Sequence, residues 1–415
     1  MTAAALAVLL AVGSAASPSP PASPAATPSP PPASPTAPAP TPYPSPIVTS
    51  GLANLTAAQA SSLEAAILAA LPRLGAPGLS IAVVKDRELR WSCGYGLADL
   101  ENEVPATPAS VYRLASVAKP ITAIAVLQLA ERGKLDLDAP IQRYVSGFPE
   151  KPWPITARQL LAHQSGIRNW TREEFHNTRR FTSITESLEP FKDDALLFEP
   201  ATSTQYSSLG FTLLGAVMEG AGGAPFMDQL RASVFQPAGM ESARDDSVFA
   251  IVPHRARGYF RHGDGTLANA PLTDTSNRIP GGGLVANVED VARFASALQR
   301  GLLVKPETLQ MALTPQKLRG GRATGYGLGW WSGGAAPAAR RTTSAASPRS
   351  ARSSTCSPRR ASPSPSWPTS KAWRTRCSIW RGRRRASSLR SRLALLTDPR
   401  PTHTLPAACA SRPRP

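Results

Sequence analysis

From about Asn54 the chain carries apolar spacings that fit regular elements. Leu63, Ile67 and Leu71 recur at helical intervals behind the capping candidates Asn54 and Thr56, which predicts a helix over Thr56–Leu71. Leu79–Lys85 and Glu88–Gly96 flank Asp86-Arg87 and predict a hairpin of two strands. A long helix is predicted over Ser116–Arg132, and its Ile121–Leu127 stretch is apolar on nearly every side, as for a helix running through a core. Ala157–His163 predicts a shorter helix. Ser207–Gly220 and Pro225–Phe235 predict a helical pair broken at Gly222-Gly223. Val288–Gln299 is amphipathic, and Tyr326–Trp331 predicts a strand. Strands, then a run of helices, then strands again predict an α/β (α+β) domain. Its antiparallel sheet should pack against Ser116–Arg132 and other helices, with a helical lobe over roughly residues 135–250.

Composition changes the picture at both ends. Of 46 basic and 28 acidic residues, 18 basic and one acidic (Asp398) fall after Gly334, so that segment carries +17 and the rest of the chain is nearly neutral. The pI near 10.6 therefore belongs to the tail. A near-neutral body argues against nucleic acid as partner; an Arg-rich nucleic-acid-binding tail is the minor alternative. Fourteen of the 43 prolines precede Ile47 and 11 follow Gly334. Cys356, Cys377 and Cys409 lie in the tail and Cys93 stands alone in the body, so neither a disulfide framework nor a Cys-based metal site can be built. His176, His254, His262 and His403 are scattered without zinc-site spacing, and no cofactor is expected. No stretch approaches the ~18–20 apolar residues of a membrane span.

Four segments follow. Residues 1–16 read as a signal-like apolar run, with cleavage expected after Ala16 and a secreted, periplasmic or cell-envelope location. The basic residue that usually precedes such a run is missing, so either the signal is weak or the start lies upstream. Residues 17–50 are a Pro/Ser/Ala-rich linker, 51–333 the folded domain, and 334–415 a basic low-complexity tail.

The sharpest chemistry is Ser116-Val117-Ala118-Lys119. On a helix, i and i+3 share one face. Pro120 is tolerated only in a first turn, which puts Ser116 at the helix N-terminus, where free N–H groups can steady an oxyanion. A lysine kept neutral by burial can take the Ser116 proton. Ser-x-x-Lys is common by chance, but of eight lysines only Lys119 has a serine three positions before it.

With Leu160–Ile167 (Leu-Leu-Ala-His-Gln-Ser-Gly-Ile), Tyr206–Gly215, Ile279–Val285 and Tyr326–Trp330, this segment resembles the serine β-lactamase and penicillin-binding-protein superfamily. It is most similar to the class C branch, which includes β-lactamases, D-Ala-D-Ala carboxypeptidases, esterases and the mitochondrial lactamase-like protease. The resemblance runs from about Leu52 to Trp331. It implies a β-lactamase/transpeptidase-like fold and a serine hydrolase acting through an acyl-enzyme on Ser116, with Lys119 as base and Tyr206 as proton shuttle. Ser208, in place of the family's Asn, would bind substrate, and His163 would be structural. The substrate would be a β-lactam, peptide, peptidoglycan or ester, and a monomer is expected. The Ser at position 208 reaches less far than Asn, which weakens the case for an amide. A non-catalytic penicillin- or peptidoglycan-binding module, or an inactive truncated homologue, is the alternative. Gly281-Gly282-Gly283 has no phosphate-loop setting and implies a close backbone approach.

The family's third motif, His/Lys-x-Gly on a strand after Tyr326–Trp330, is missing. The Arg/Ser/Pro-rich tail reads instead as a G+C-rich gene translated out of frame. If each true codon is the last base of one written codon plus the first two of the next, Ser362–Gly382 can be read F-A-V-A-V-L-A-N-L-E-G-V-E-D-A-L-L-D-L-A-R, a strand followed by an amphipathic helix. The same shift allows His at position 343 and Gly at 345. A frame error between Trp331 and Thr342 is therefore expected. The C-terminal strands would be lost or scrambled, the inner sheet edge left unpaired, and the literal product inactive or unstable.

Overall fold

A computed structural model describes residues 6–11, 49–262 and 265–332. The linker up to residue 48 and the basic tail lie outside the described residues.

The main sheet is built from β1 (Leu6–Ala11), β2 (Thr49–Ala53), β3 (Gly78–Lys85), β4 (Glu88–Asp99) and β5 (Val104–Pro105). All neighbours are antiparallel, in the order β1-β3-β4-β2, with β5 on β4. The β3–β4 turn places Asp86 and Arg87 at φ 54° and 66°, the left-handed pair that a two-residue hairpin turn demands. Between β2 and β3 runs α1 (Ala57–Leu74), started by a capping box in which the Thr56 hydroxyl accepts from Gln59 N–H and the Gln59 side chain accepts from Thr56 N–H. Ile67 and Leu71 are buried with Leu79, Ile81, Val83, Trp91, Cys93 and Tyr95 on one sheet face. On the other face Ala82 and Val84 join the main core.

One expectation fails here: the β3 edge is not left unpaired. β1 runs along it, from Leu6 opposite Val84 to Ala11 opposite Leu79. β3 is covered on both faces, so the slot beside it suits a strand whose sequence is apolar throughout, and the first apolar run of the chain meets that requirement.

After β6 (Tyr112–Arg113) and a 3₁₀ turn at Ala115–Val117 comes α2 (Ala118–Glu131), buried over nearly its whole length. The lobe that follows is helical but broken: α3 (Ala157–Leu161), α4 (Arg172–Phe175), α5 (Ser208–Gly222) and α6 (Phe226–Leu230), which continues through a π turn into α7 (Gln236–Ala238). β7 (Arg244–Asp245) pairs with a later strand, and β8 (Tyr259–Arg261) and β9 (Leu267–Asn269) form a small hairpin. The chain returns through α8 (Ile279–Gly282), β10 (Leu284–Ala286), α9 (Val288–Gln299) and α10 (Pro306–Leu313). β10 bridges β6 and β7. The fold is thus α+β, with antiparallel sheets flanked by helices.

Two placements differ from the sequence reading. α9 lies across β3 and β4, while α2 packs chiefly on α5 and α8 behind it. That suits their sequences: α9 has one apolar face for the sheet, whereas α2 is apolar all round and needs helices on every side. Tyr326–Trp331 is not a strand. It folds into a turn in which Gly327 N–H donates to Trp330 O at 2.8 Å, joined by one bridge between Tyr326 and Trp331. Gly329, at φ 84°, lets the turn rest on α2, since a Cβ there would sit 2.3 Å from Ala123 Cβ.

Candidate active site

Ser116 sits in the 3₁₀ turn ahead of α2, and Pro120 is the third residue of the helix, so the proline does mark the helix start. Ala115, just before Ser116, is held at φ 46°, which is sterically costly for an alanine. Nothing in the sequence signalled this. Lys119 points back one turn and is 3% exposed. Its Nζ donates to Gly281 O at 2.6 Å, Ser208 Oγ at 3.1 Å and Ser116 Oγ at 3.3 Å. Burial pushes its pKa below the usual lysine range; Tyr206 opposes the shift and the Arg278 charge adds to it.

Tyr206 precedes α5, and its hydroxyl shares a 2.5 Å hydrogen bond with Ser116 Oγ. Lys119 Nζ lies 4.7 Å from the centre of the Tyr206 ring. Ser207 caps α5 by accepting from Gly210 N–H, and Ser208 N–H donates to Asn169 Oδ1 at 3.0 Å. The geometry therefore brings together all four residues singled out from the sequence: Ser116, Lys119, Tyr206 and Ser208. The Ser208 hydroxyl is engaged with Lys119. The sequence did not point to Gly281 O or Asn169. The first is a backbone carbonyl, carried close because a Cβ on Gly281 would meet Ser208 O at 3.1 Å and Phe211 Cβ at 3.2 Å.

His163 follows α3 at φ 58° and is buried. Its Nδ1 accepts from Ser207 N–H at 3.2 Å, and its carbonyl accepts from Gln205 N–H and the Thr204 hydroxyl. Its ring packs 4.5 Å from Tyr206, 4.8 Å from Tyr326 and 5.3 Å from Phe211. Burial first, and Lys119 second, hold its pKa well below the usual histidine range. The folded state therefore keeps His163 neutral, while the unfolded chain takes up a proton below about pH 6.5. Stability then falls as pH drops through that value. His163→Asn, whose Oδ1 can accept in place of Nδ1, should flatten the fall in melting temperature between about pH 6.5 and 5. Parallel melting curves for parent and variant would count against this.

The described chain ends just past the turn carrying Trp331, whose ring packs 4.6 Å from Tyr326 and is 53% exposed. The expected His/Lys-x-Gly position lies outside the described residues.

Residues 60–352 match the Beta-lactamase family. The chain belongs to that family. Within the β-lactamase and penicillin-binding-protein superfamily it falls in the class C-like branch that includes the mitochondrial lactamase-like proteins. It is 30% identical over 326 residues to the human mitochondrial serine beta-lactamase-like protein LACTB, covering 58% of this chain and 59% of that one. The chain thus spans about three-fifths of that relative's length. Esterase EstB of Burkholderia gladioli is 30% identical over 317 residues, covering 66% of this chain and 80% of the esterase. The D-amino acid amidase of Ochrobactrum anthropi, solved with D-phenylalanine, superimposes with a TM-score of 0.54 at 27% identity, covering 60% of this chain and 75% of the amidase. Among the described residues no helix is long and apolar enough to cross a membrane.

Proposed function

We propose that this β-lactamase family member is an exported serine hydrolase that forms an acyl-enzyme on Ser116. One observation carries the reading: Ser116 Oγ lies within hydrogen-bonding reach of both the Tyr206 hydroxyl and the Lys119 amine. A neutral amine has two N–H donors and one lone pair. With the donors on Gly281 O and Ser208 Oγ, the lone pair is left for the Ser116 proton. Ser116 Oγ then attacks the substrate carbonyl, Lys119 accepts its proton, and Tyr206 passes a proton to the leaving group. The Ser116 backbone N–H serves as one oxyanion donor. Water, deprotonated along the same route, releases the acyl group.

Ser208, spent on Lys119, is a poor amide receptor. Both an esterase and an amidase stand among the relatives, and the serine favours ester over amide substrates here. The absent His/Lys-x-Gly segment favours a second reading for the literal chain, an inactive homologue, and with it the frame error near codons 331–342. A fluorophosphonate or fluorescent penicillin tests both readings by intact mass, on the literal chain and on one with a base restored. An adduct in either chain that Ser116→Ala abolishes supports the hydrolase. No adduct in either leaves the non-catalytic binding module.

A further inference from the structure

A second concave site is formed without the catalytic candidates. It is a cavity of about 240 Å³ between the loop at residues 180–184, the end of α5, the start of α6, β7 and the approach to α8. None of Ser116, Lys119, Tyr206 and Ser208 lines it. Phe226, Met227 and Ile279 give it an apolar side, with Phe226 fully buried. Glu219, Asp245 and Asp246 give it an acidic one. The single basic residue in its lining, Arg180, is exposed, and its guanidinium carbon lies 5.3 Å from the centre of the Phe249 ring.

The carboxylates in this lining are under-used. Glu219 Oε1 accepts from Phe226 N–H at 2.8 Å, while Oε2 makes no hydrogen bond and stays accessible. Burial pushes the Glu219 pKa up, and the Phe226 N–H opposes the shift only in part. Asp245 joins β7 through its backbone, and among the described residues neither it nor Glu219 belongs to an ion pair. The Asp246 side chain is 1% exposed and pairs through Oδ2 with Arg113 at 2.6 Å. Its Oδ1 is a buried acceptor without a hydrogen-bond partner, 3.8 Å from Arg255 Nη2. A desolvated carboxylate gains when a cation carrying N–H donors reaches it. Among the described residues no three acidic, His or Cys side chains could hold a metal ion, so a bare divalent cation does not fit.

An apolar wall facing two unpaired carboxylates suits a primary ammonium on a short apolar body. The space falls below the ~300–1,000 Å³ of pockets for drug-sized ligands, which limits that body to about one ring or a short alkyl chain. We propose that this cavity is a binding site for a small primary amine, its ammonium shared by Glu219 and Asp245 and its apolar body against Phe226, Met227 and Ile279. The site is separate from the Ser116 centre and does not depend on the hydrolase reading. The two share one short helix. Ile279 walls the cavity, and Gly281, two residues further along α8, holds Lys119 through its carbonyl. An occupant therefore touches the helix that positions Lys119.

The test is calorimetric titration of the full chain with benzylamine, compared at matched ionic strength with benzyl alcohol, which keeps the ring and lacks the charge. It is run on the parent, Ser116→Ala, Glu219→Gln and Asp245→Asn. Benzylamine should bind the parent and Ser116→Ala with equal affinity, and benzyl alcohol should not bind measurably. Glu219→Gln keeps an acceptor for Phe226 N–H and removes the charge, which should weaken benzylamine binding roughly tenfold. Asp245→Asn alters a side chain that the fold does not use for pairing, and it should weaken binding by a similar factor. Equal binding of amine and alcohol, no saturable binding at all, or unchanged affinity in either carboxylate variant would overturn the site. Loss of binding in Ser116→Ala would overturn it as well, by placing the amine at the catalytic centre.

Discussion

Lys119→Met in the frame-restored chain should lower the acylation rate of Ser116 by roughly four orders of magnitude, the scale on which removal of one member of a nucleophile–base unit acts. The Ser116 hydroxyl would keep its short hydrogen bond to Tyr206 but lose the amine that takes its proton. The same substitution should not destabilise the fold. Lys119 is desolvated and its pKa is depressed, so between its folded and unfolded pKa values the unfolded chain binds the additional proton. The resulting penalty grows as pH falls from the unfolded pKa toward the folded one, so it is already present at neutrality. Met removes it while filling similar space, so the variant should melt no lower than the parent at pH 7. Stopped-flow acylation and calorimetry together check the pair of outcomes. Near-full acylation would remove Lys119 from its assigned role. A large drop in melting temperature would mean that its three hydrogen bonds outweigh its desolvation.

How much was legible in the sequence followed from how local each signal was. Thr56 with Gln59, Asp86-Arg87 between apolar runs, and Pro120 after Ser116-x-x-Lys119 are each set by a few neighbouring residues, and the structure places a helix start, a turn and a nucleophile candidate there. Tyr206 and Ser208 came from the resemblance; no spacing rule ties position 206 to position 116. The left-handed Ala115 and the Gly281 carbonyl were not legible, because backbone strain and carbonyl direction are set by tertiary packing. Tyr326–Trp331 misled because apolar and aromatic residues alternating with glycine look like a strand, while Gly327 and Gly329 in fact allow a turn against α2.

Restoring one base near codon 335 should raise esterase turnover by roughly 10²-fold or more, and it should also change which segment sits beside β3. One oxyanion donor is worth about 3–4 kcal/mol, and in the family it comes from the strand that the proposed frame error would remove. The slot along β3 accepts an antiparallel strand of wholly apolar sequence, because β3 is covered on both faces. Two segments satisfy that condition: Leu6–Ala11 as written, and F-A-V-A-V-L-A read one base over from residue 362. In the literal chain Leu6–Ala11 fills the slot, yet the same residues form the core of the signal-like segment, and cleavage after Ala16 would remove them. Deleting residues 1–16 should therefore destabilise the literal protein by about 3–6 kcal/mol, the net worth of a six-residue ladder at ~0.5–1 kcal/mol per bond. The same deletion should leave the restored protein's melting temperature unchanged, because its own later strand competes for the edge. Four proteins, literal and restored, with and without residues 1–16, separate the cases by melting temperature and ester turnover. If the deletion destabilised both chains equally, or if turnover matched in all four, the slot would have no second claimant and the frame error would fall with it.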